Sequence, residues 1–181
     1  MRVILVGNGT SVLDHNYGRV IDSFDFVVRF NDFVIEGFEK HVGTKTNCWI
    51  THDAYHIKTI KNFDRIIVHT WDERQSSLVA ELSEHKEIEL IKKYEVLKIP
   101  SEYPSTGLIG IYKFIKEFGY VTIFGFDWWD RKQHHYFPNI TVDRDYIEKK
   151  DHDRGTEHKP LEEYRIIKQL EKQGKLSFLK T

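Results

Sequence analysis

The sequence predicts an α/β fold built on a mostly parallel sheet, and three observations predict it. Short apolar runs of strand length recur along the chain. Segments with helical spacing lie between them, and glycine or polar residues close most runs. Arg2 to Gly7 is the first run, bounded by glycine as a buried strand usually is. Asp25 to Phe30 and Thr46 to Thr51 have the same character, Arg65 to Thr70 is the fourth run, and Val121 to Gly125 the fifth. Helical patterns fall at His52 to Lys61, Glu73 to Glu84 and Leu108 to Phe118. His158 to Gln173 reads as an amphipathic helix with Leu161, Tyr164, Ile167 and Leu170 on its apolar stripe, stopped by Gly174. Strands alternating with helices imply a Rossmann-like, single-domain arrangement over 1–181, with helices on both faces of the sheet. Ligands in such sheets sit beyond the carboxyl ends of the strands, at the switch point. Asn8, Asn31 and Phe126-Asp127 all fall just after predicted strands.

Composition narrows the classes. The 181 residues suit one domain with a sizeable core, and 40% hydrophobic with 14% aromatic residues argue for a globular chain. A net charge of -1 gives no general attraction to nucleic acid or an anionic membrane. The lone cysteine, Cys48, excludes an intramolecular disulfide and argues against structural zinc. The sequence opens on a strand with no signal peptide or transmembrane segment ahead of it, which leads us to expect a cytoplasmic enzyme of bacterial or viral type.

Several local patterns carry chemistry. Gly7-Asn8-Gly9-Thr10-Ser11-Val12 has the first two glycines of a dinucleotide turn and lacks the third, a weak signal for NAD. Such a turn aims backbone N–H groups at an anion, and Asn8 can donate to phosphate and accept from a ribose hydroxyl. Asn31 would face the same crevice, although an asparagine also serves simply as a turn cap. Arg29 shares the Asn31 region and reads as an internal ion pair, with Glu39 or Asp25 as partner. Tyr103-Pro104-Ser105-Thr106-Gly107 precedes a long apolar helix, where Ser105 or Thr106 can cap and the free N–H groups can bind phosphate or a base edge. Gly107 would let a ligand come close to the backbone. Trp128 to Thr156 is polar, aromatic and long for a connection, as functional loops often are. The faces of Trp128, Trp129, Tyr136 and Phe137 suit stacking against a ligand ring or packing equally well.

In this order, the motifs resemble the four sialylmotifs of glycosyltransferase family twenty-nine, the eukaryotic-type sialyltransferases. Residues 2 to 53 correspond to the large motif, Pro104 to Phe126 to the small one, His135-Tyr136 to the third, and His158 with Glu163 to the very small one. The resemblance spans roughly 2 to 53 and 100 to 175. It implies a GT-A-related fold, a CMP-sialic acid donor, a glycan acceptor, no metal and no cofactor. It also implies donor contacts from Gly7, Asn8, Gly9, Asn31, Tyr103, Ser105, Thr106 and Gly107. His158 becomes the general base, His135 the group at the donor phosphate, and Glu163 and Tyr136 their supports. An imidazole with an ordinary pKa of about 6.5 suits base work near neutral pH. On helix geometry alone Glu162 is the better-placed partner of His158; the family spacing selects Glu163.

Two departures stand out. Golgi-lumen family members join the large and small motifs by a disulfide that a single cysteine cannot form, and Pro138 replaces the acidic or similar residue usual at the end of the third motif. Asp151-His152-Asp153 has the form of an Asp-x-Asp metal site, but a solvated loop accounts for it better. The alternatives are a CMP-Kdo transferase, a CMP-binding module with little catalysis and, more distantly, a dehydrogenase. Retention of both His135 and His158 argues against the binding module.

Overall fold

The computed structural model of the chain describes residues 1–52, 63–70, 88–91, 98–101, 104–128, 133, 135–137 and 159–180. Among these, seven strands form one sheet: β1 (Val3–Val6), β2 (Phe26–Phe30), β3 (Cys48–Thr51), β4 (Arg65–His69), β5 (Ile88–Ile91), β6 (Val121–Phe124) and β7 (Leu176–Phe178). They lie in the order β5-β4-β3-β2-β1-β6-β7, and every neighbouring pair is parallel. β1 sits between β2, with Val3 beside Phe26, and β6, with Ile4 beside Thr122. The chain builds outward from β1 to β5, then returns to add β6 and β7 on the other side. The reversal lies between β1 and β6.

The strands alternate their side chains between two cores, as a pleated strand requires. Val3, Leu5, Val28, Phe30, Cys48, Ile50, Val121 and Ile123 pack under α3 (Thr106–Phe118) and α4 (Pro160–Lys172). Ile4, Val6, Val27 and Phe124 face the other way, against Val12, α1 (Gly18–Asp22), α2 (Glu39–Val42) and Tyr136-Phe137. The sheet is thus covered on both faces, as the sequence predicts. β5 and β7 were not expected, nor were the short helices α1 and α2. The predicted helices at His52 to Lys61 and Glu73 to Glu84 lie outside the described residues, except for His52 itself.

α3 starts where predicted. The Ser105 hydroxyl accepts from the Leu108 N–H at 3.2 Å, and the helix ends at Gly119, in the left-handed region at φ 80°. α4 opens on Pro160, whose missing N–H costs nothing in a first turn, and carries Glu162 and Glu163 at its positive end. Its buried stripe differs from the expected one. Glu163, Ile166, Ile167 and Leu170 face inward, while Leu161 is 74% and Tyr164 42% exposed. A carboxylate has taken the place that periodicity gave to apolar residues, because it has partners inside.

Arg29 also differs from expectation. It is 1% exposed, and its guanidinium donates to the carbonyls of Val42, Gly43 and Lys45 and to the Thr46 hydroxyl, at 2.7 to 3.3 Å, rather than pairing with Glu39 or Asp25. Burial pulls its pKa down to about 10, so it remains charged at neutral pH. Asp22 braces the same loop by accepting from the N–H groups of Thr44 and Lys45. This part of the large motif is scaffold.

Candidate functional site

A cleft opens over the carboxyl ends of β1, β2 and β6, at the point where the strand order reverses. Gly7, Asn8, Gly9, Asn31, Ser105, Thr106, Gly107, His135 and Glu163 all line it, together with Phe126, Asp127, Trp128 and Pro160. These residues come from six separate stretches of sequence. Brought together at the switch point, they are where a doubly wound sheet binds its ligand. Of the remaining predicted residues, Tyr136 stands behind the cleft, while Tyr103 and His158 lie outside the described residues. So do Trp129 and Asp151-His152-Asp153. Among the described residues, no group of three or more His, Cys, Asp or Glu side chains is placed to hold a metal ion.

The floor is built by close approach. Phe126 meets Phe30 edge-on at 5.6 Å, between the β1 turn and the start of α3. A Cβ at Gly107 would stand 2.8 Å from the Phe126 ring, and one at Gly7 would stand 2.4 Å from the carbonyl oxygen of Gly125. Glycine at these positions makes room for an aromatic floor and for the β6 backbone.

The β1 turn is not the anion cradle its glycines suggest. The Gly7 N–H donates to the Phe124 carbonyl at 2.7 Å and the Gly9 N–H to the Gly125 carbonyl at 2.8 Å. Asp127 then accepts from the Ser11 N–H at 2.9 Å and from the Ser11 hydroxyl. The N–H groups of Gly7, Gly9 and Ser11 are thus engaged within the protein, the last of them by a carboxylate. Asn8 is likewise committed as a donor. Its amide nitrogen reaches the carbonyls of Phe30 at 3.0 Å and Asp32 at 2.7 Å, which fixes its orientation and presents the cleft with an acceptor. The expected donation from Asn8 to phosphate therefore gives way to acceptance, as from a ribose hydroxyl.

Asn31 adopts φ 45°, a left-handed conformation that asparagine tolerates well. Its carbonyl accepts from the Trp49 indole at 2.8 Å, and its Oδ1 from the His52 N–H at 3.2 Å. The side-chain amide nitrogen is the part of Asn31 left to face a ligand. At α3, Ser105 gives its N–H and its hydroxyl to Glu163, at 2.6 and 2.7 Å, so both are engaged within the protein. The Thr106 hydroxyl pairs with His69 Nε2 at 2.8 Å, beneath the cleft. What remains for a ligand there is the backbone at Thr106 and Gly107, at the positive end of a thirteen-residue helix.

His135 is half-buried, stacks on Phe137 at 5.2 Å, and is the one described lining residue able to carry positive charge. Tyr136 anchors that segment from behind. Its N–H donates to the Asn8 carbonyl at 3.0 Å, and its hydroxyl donates to the Val34 carbonyl at 2.5 Å. Burial pushes the phenol above the ordinary tyrosine value, which suits a neutral anchor.

Sequence reasoning singled out neither His69 nor the contacts of Asp127. His69 is 3% exposed at the end of β4, and its ring meets that of His52 at 5.0 Å. Only its place at the carboxyl end of a strand hinted at a role. For Asp127 the signal was present, since it follows β6 directly.

Among the described residues, a parallel sheet with a polar cleft over the β1/β6 reversal defines a Rossmann-like α/β domain. The chain belongs to glycosyltransferase family 29 (sialyltransferase), whose sequence model matches residues 2–98. It is similar to the human CMP-N-acetylneuraminate-beta-1,4-galactoside alpha-2,3-sialyltransferase, with 39% identity over 64 residues that make up 35% of this chain and 17% of that protein. It is also similar to the mouse alpha-N-acetylgalactosaminide alpha-2,6-sialyltransferase 2, at 39% over 62 residues, 34% of this chain and 16% of that one. The matched stretch is therefore a small part of each curated relative. Among solved structures, a mammalian sialyltransferase superposes with a TM-score of 0.68 at 21% identity, covering 99% of this chain and 68% of the other. The alpha-2,3-sialyltransferase Cst-I from Campylobacter jejuni gives 0.65 at 16%, covering 98% and 74%. These likenesses establish a shared α/β fold. No helix among the described residues is long and apolar enough to cross a membrane.

Proposed function

We propose that the chain is the catalytic unit of a metal-independent, inverting sialyltransferase that moves sialic acid from CMP-sialic acid to a sugar hydroxyl. The observation that carries this reading is the single cleft that gathers residues of the large, small, third and very small motifs over the β1/β6 reversal. In it, Asn8 accepts from the ribose, Asn31 and the backbone at Thr106 and Gly107 hold the polar edges of the nucleotide, and Phe126 lies beneath.

The chemistry is a displacement at the anomeric carbon. An acceptor oxygen forms the new C–O bond as the bond to the CMP phosphate breaks, and the acceptor proton passes to His158. The donor carbon bears a carboxylate and no adjacent hydroxyl, so positive charge develops strongly as CMP departs. His135 meets the negative charge growing on the phosphate, a contribution typically of a few kcal/mol to the barrier. His158 precedes Pro160 by two residues, and Pro160 lines the cleft.

The experiment is CMP release from CMP-sialic acid, with and without galactoside acceptors, in the presence of EDTA, with CMP-Kdo as a parallel donor. Acceptor-dependent release that survives EDTA is the expected result. Release from CMP-Kdo alone would shift the donor, and NAD binding without CMP binding would remove the proposal.

A further inference from the structure

The aromatic residues at the mouth of the cleft form a surface that the nucleotide chemistry does not use. Trp128 follows β6 at φ 45°, in the left-handed region that a large side chain seldom occupies without a compensating role. Its ring is held edge-on by Tyr164 at 5.0 Å and by Phe178 at 5.9 Å, so its orientation is preset. Trp128 lines the cleft itself, as does Pro160 at the start of α4. On α4, Tyr164 is 42% and Leu161 74% exposed, and the two are separated by one helical turn. Beside polar lining groups such as Asn8, Asn31, Asp127 and Glu163, Trp128 and Pro160 give the cleft apolar surface.

Resting on the sialyl-transfer reading, we infer that Trp128, steadied by Tyr164, is the platform for the acceptor sugar, taking the C–H face of a pyranose ring. The cleft is continuous from the donor side to this ring, and an acceptor must reach the donor from its open side. An aromatic face excludes water from the apolar face of a sugar and leaves its hydroxyl edge free for polar groups. Specificity for the acceptor ring then depends on a side chain beyond the nucleotide pocket.

The test compares W128L, which keeps apolar bulk, with W128F, which keeps an aromatic face, and with Y164A, which removes the ring that steadies Trp128. Initial rates are measured against lactose and Gal-β1,3-GalNAc at saturating CMP-sialic acid, and CMP affinity is measured by calorimetry. W128L is expected to raise the acceptor KM about tenfold or more, Y164A by a smaller factor, and W128F by less than about threefold. An acceptor KM in W128L within twofold of wild type overturns the inference. So does an equal loss of CMP and acceptor affinity, which would make the ring part of the donor pocket. A wild-type protein that transfers normally beside an unaffected W128L sinks this inference alone; a wild-type protein that turns over no donor sinks the reading beneath it.

Discussion

The Glu163 carboxylate on α4 holds both the N–H and the hydroxyl of Ser105 at the start of α3, at 2.6 and 2.7 Å, with Glu163 only 6% exposed. The two helices that border the cleft are thus joined at their N-termini by one side chain. Glu163→Ala removes the acceptor for both donors and should destabilise the protein by about 1–3 kcal/mol. Glu163→Gln, which keeps one oxygen, should cost roughly half as much. Urea unfolding of the three proteins checks the ranking, and equal stabilities would reduce the contact to a bystander.

The two histidines should separate kinetically. His158→Ala should lower transfer by about 100- to 10,000-fold, the usual range for loss of a general base, with CMP affinity held within a few-fold. His135→Ala should slow donor cleavage by about 100-fold through the phosphate. Transfer rates and CMP titrations distinguish them, and wild-type turnover in either variant removes that residue from the scheme.

His69 should act through Thr106. Its Nε2 lies 2.8 Å from the Thr106 hydroxyl, and both residues are buried. His69→Leu should raise the donor KM by about tenfold, since a buried hydroxyl that loses a partner costs about 1–3 kcal/mol. His69→Gln can still reach the hydroxyl and should recover part of the loss. Equal KM values in the Leu and Gln variants would argue for packing alone.

Acid stability should depend on the charged cluster joining β4, β5 and α3. Arg65 pairs with Glu89 at 2.6 Å and with Glu117 at 2.7 Å, and Lys113 reaches Glu89 at 2.5 Å. The Arg65 hydrogen bond lowers the Glu117 pKa in the folded protein. A carboxyl held below its unfolded value adds stability at neutral pH and loses it as pH falls through the folded value. Glu117→Gln should therefore be less stable than wild type at pH 7, by under about 1 kcal/mol because the pair is partly solvated, with the difference vanishing in acid. Thermal melts between pH 7 and 3 test this; a gap that widens in acid would contradict it.

Gly7→Ala should be severely destabilising. Its Cβ would stand 2.4 Å from the Gly125 carbonyl oxygen, which is backbone just past β6 and not the far end of a flexible side chain. A loss of more than about 2 kcal/mol is expected from strain of this kind. A near-wild-type melting temperature would mean that the two turns can separate.

The sheet was legible where strands are buried on both faces, since β1, β2, β3, β4 and β6 are near-continuous apolar runs. β5 escaped because it is an edge strand, Ile-Glu-Leu-Ile, with three half-buried positions, and β7 because it has only three residues. α1 and α2 are too short for a helical period to show. Asn8, Asn31, Gly107 and His135 were visible as a set because their motifs kept sequence order, and the first three each follow a strand or open a helix. Their partners were not visible. Nothing local in the sequence says that the Asn8 amide is spent on two carbonyls, that Asp127 closes the β1 turn, or that Glu163 points inward while Leu161 points out.

The strand order also has a consequence for the nascent chain. β1 finds β2 within its first thirty residues, yet its other edge stays open until β6 emerges more than a hundred residues later. An unpaired edge of buried aliphatic side chains invites mispairing during that interval. The cleft itself must wait longer still, because α3 receives its Glu163 contact only after α4 has been made. The start of α3 is therefore braced only once residues more than fifty positions further along the chain have been made.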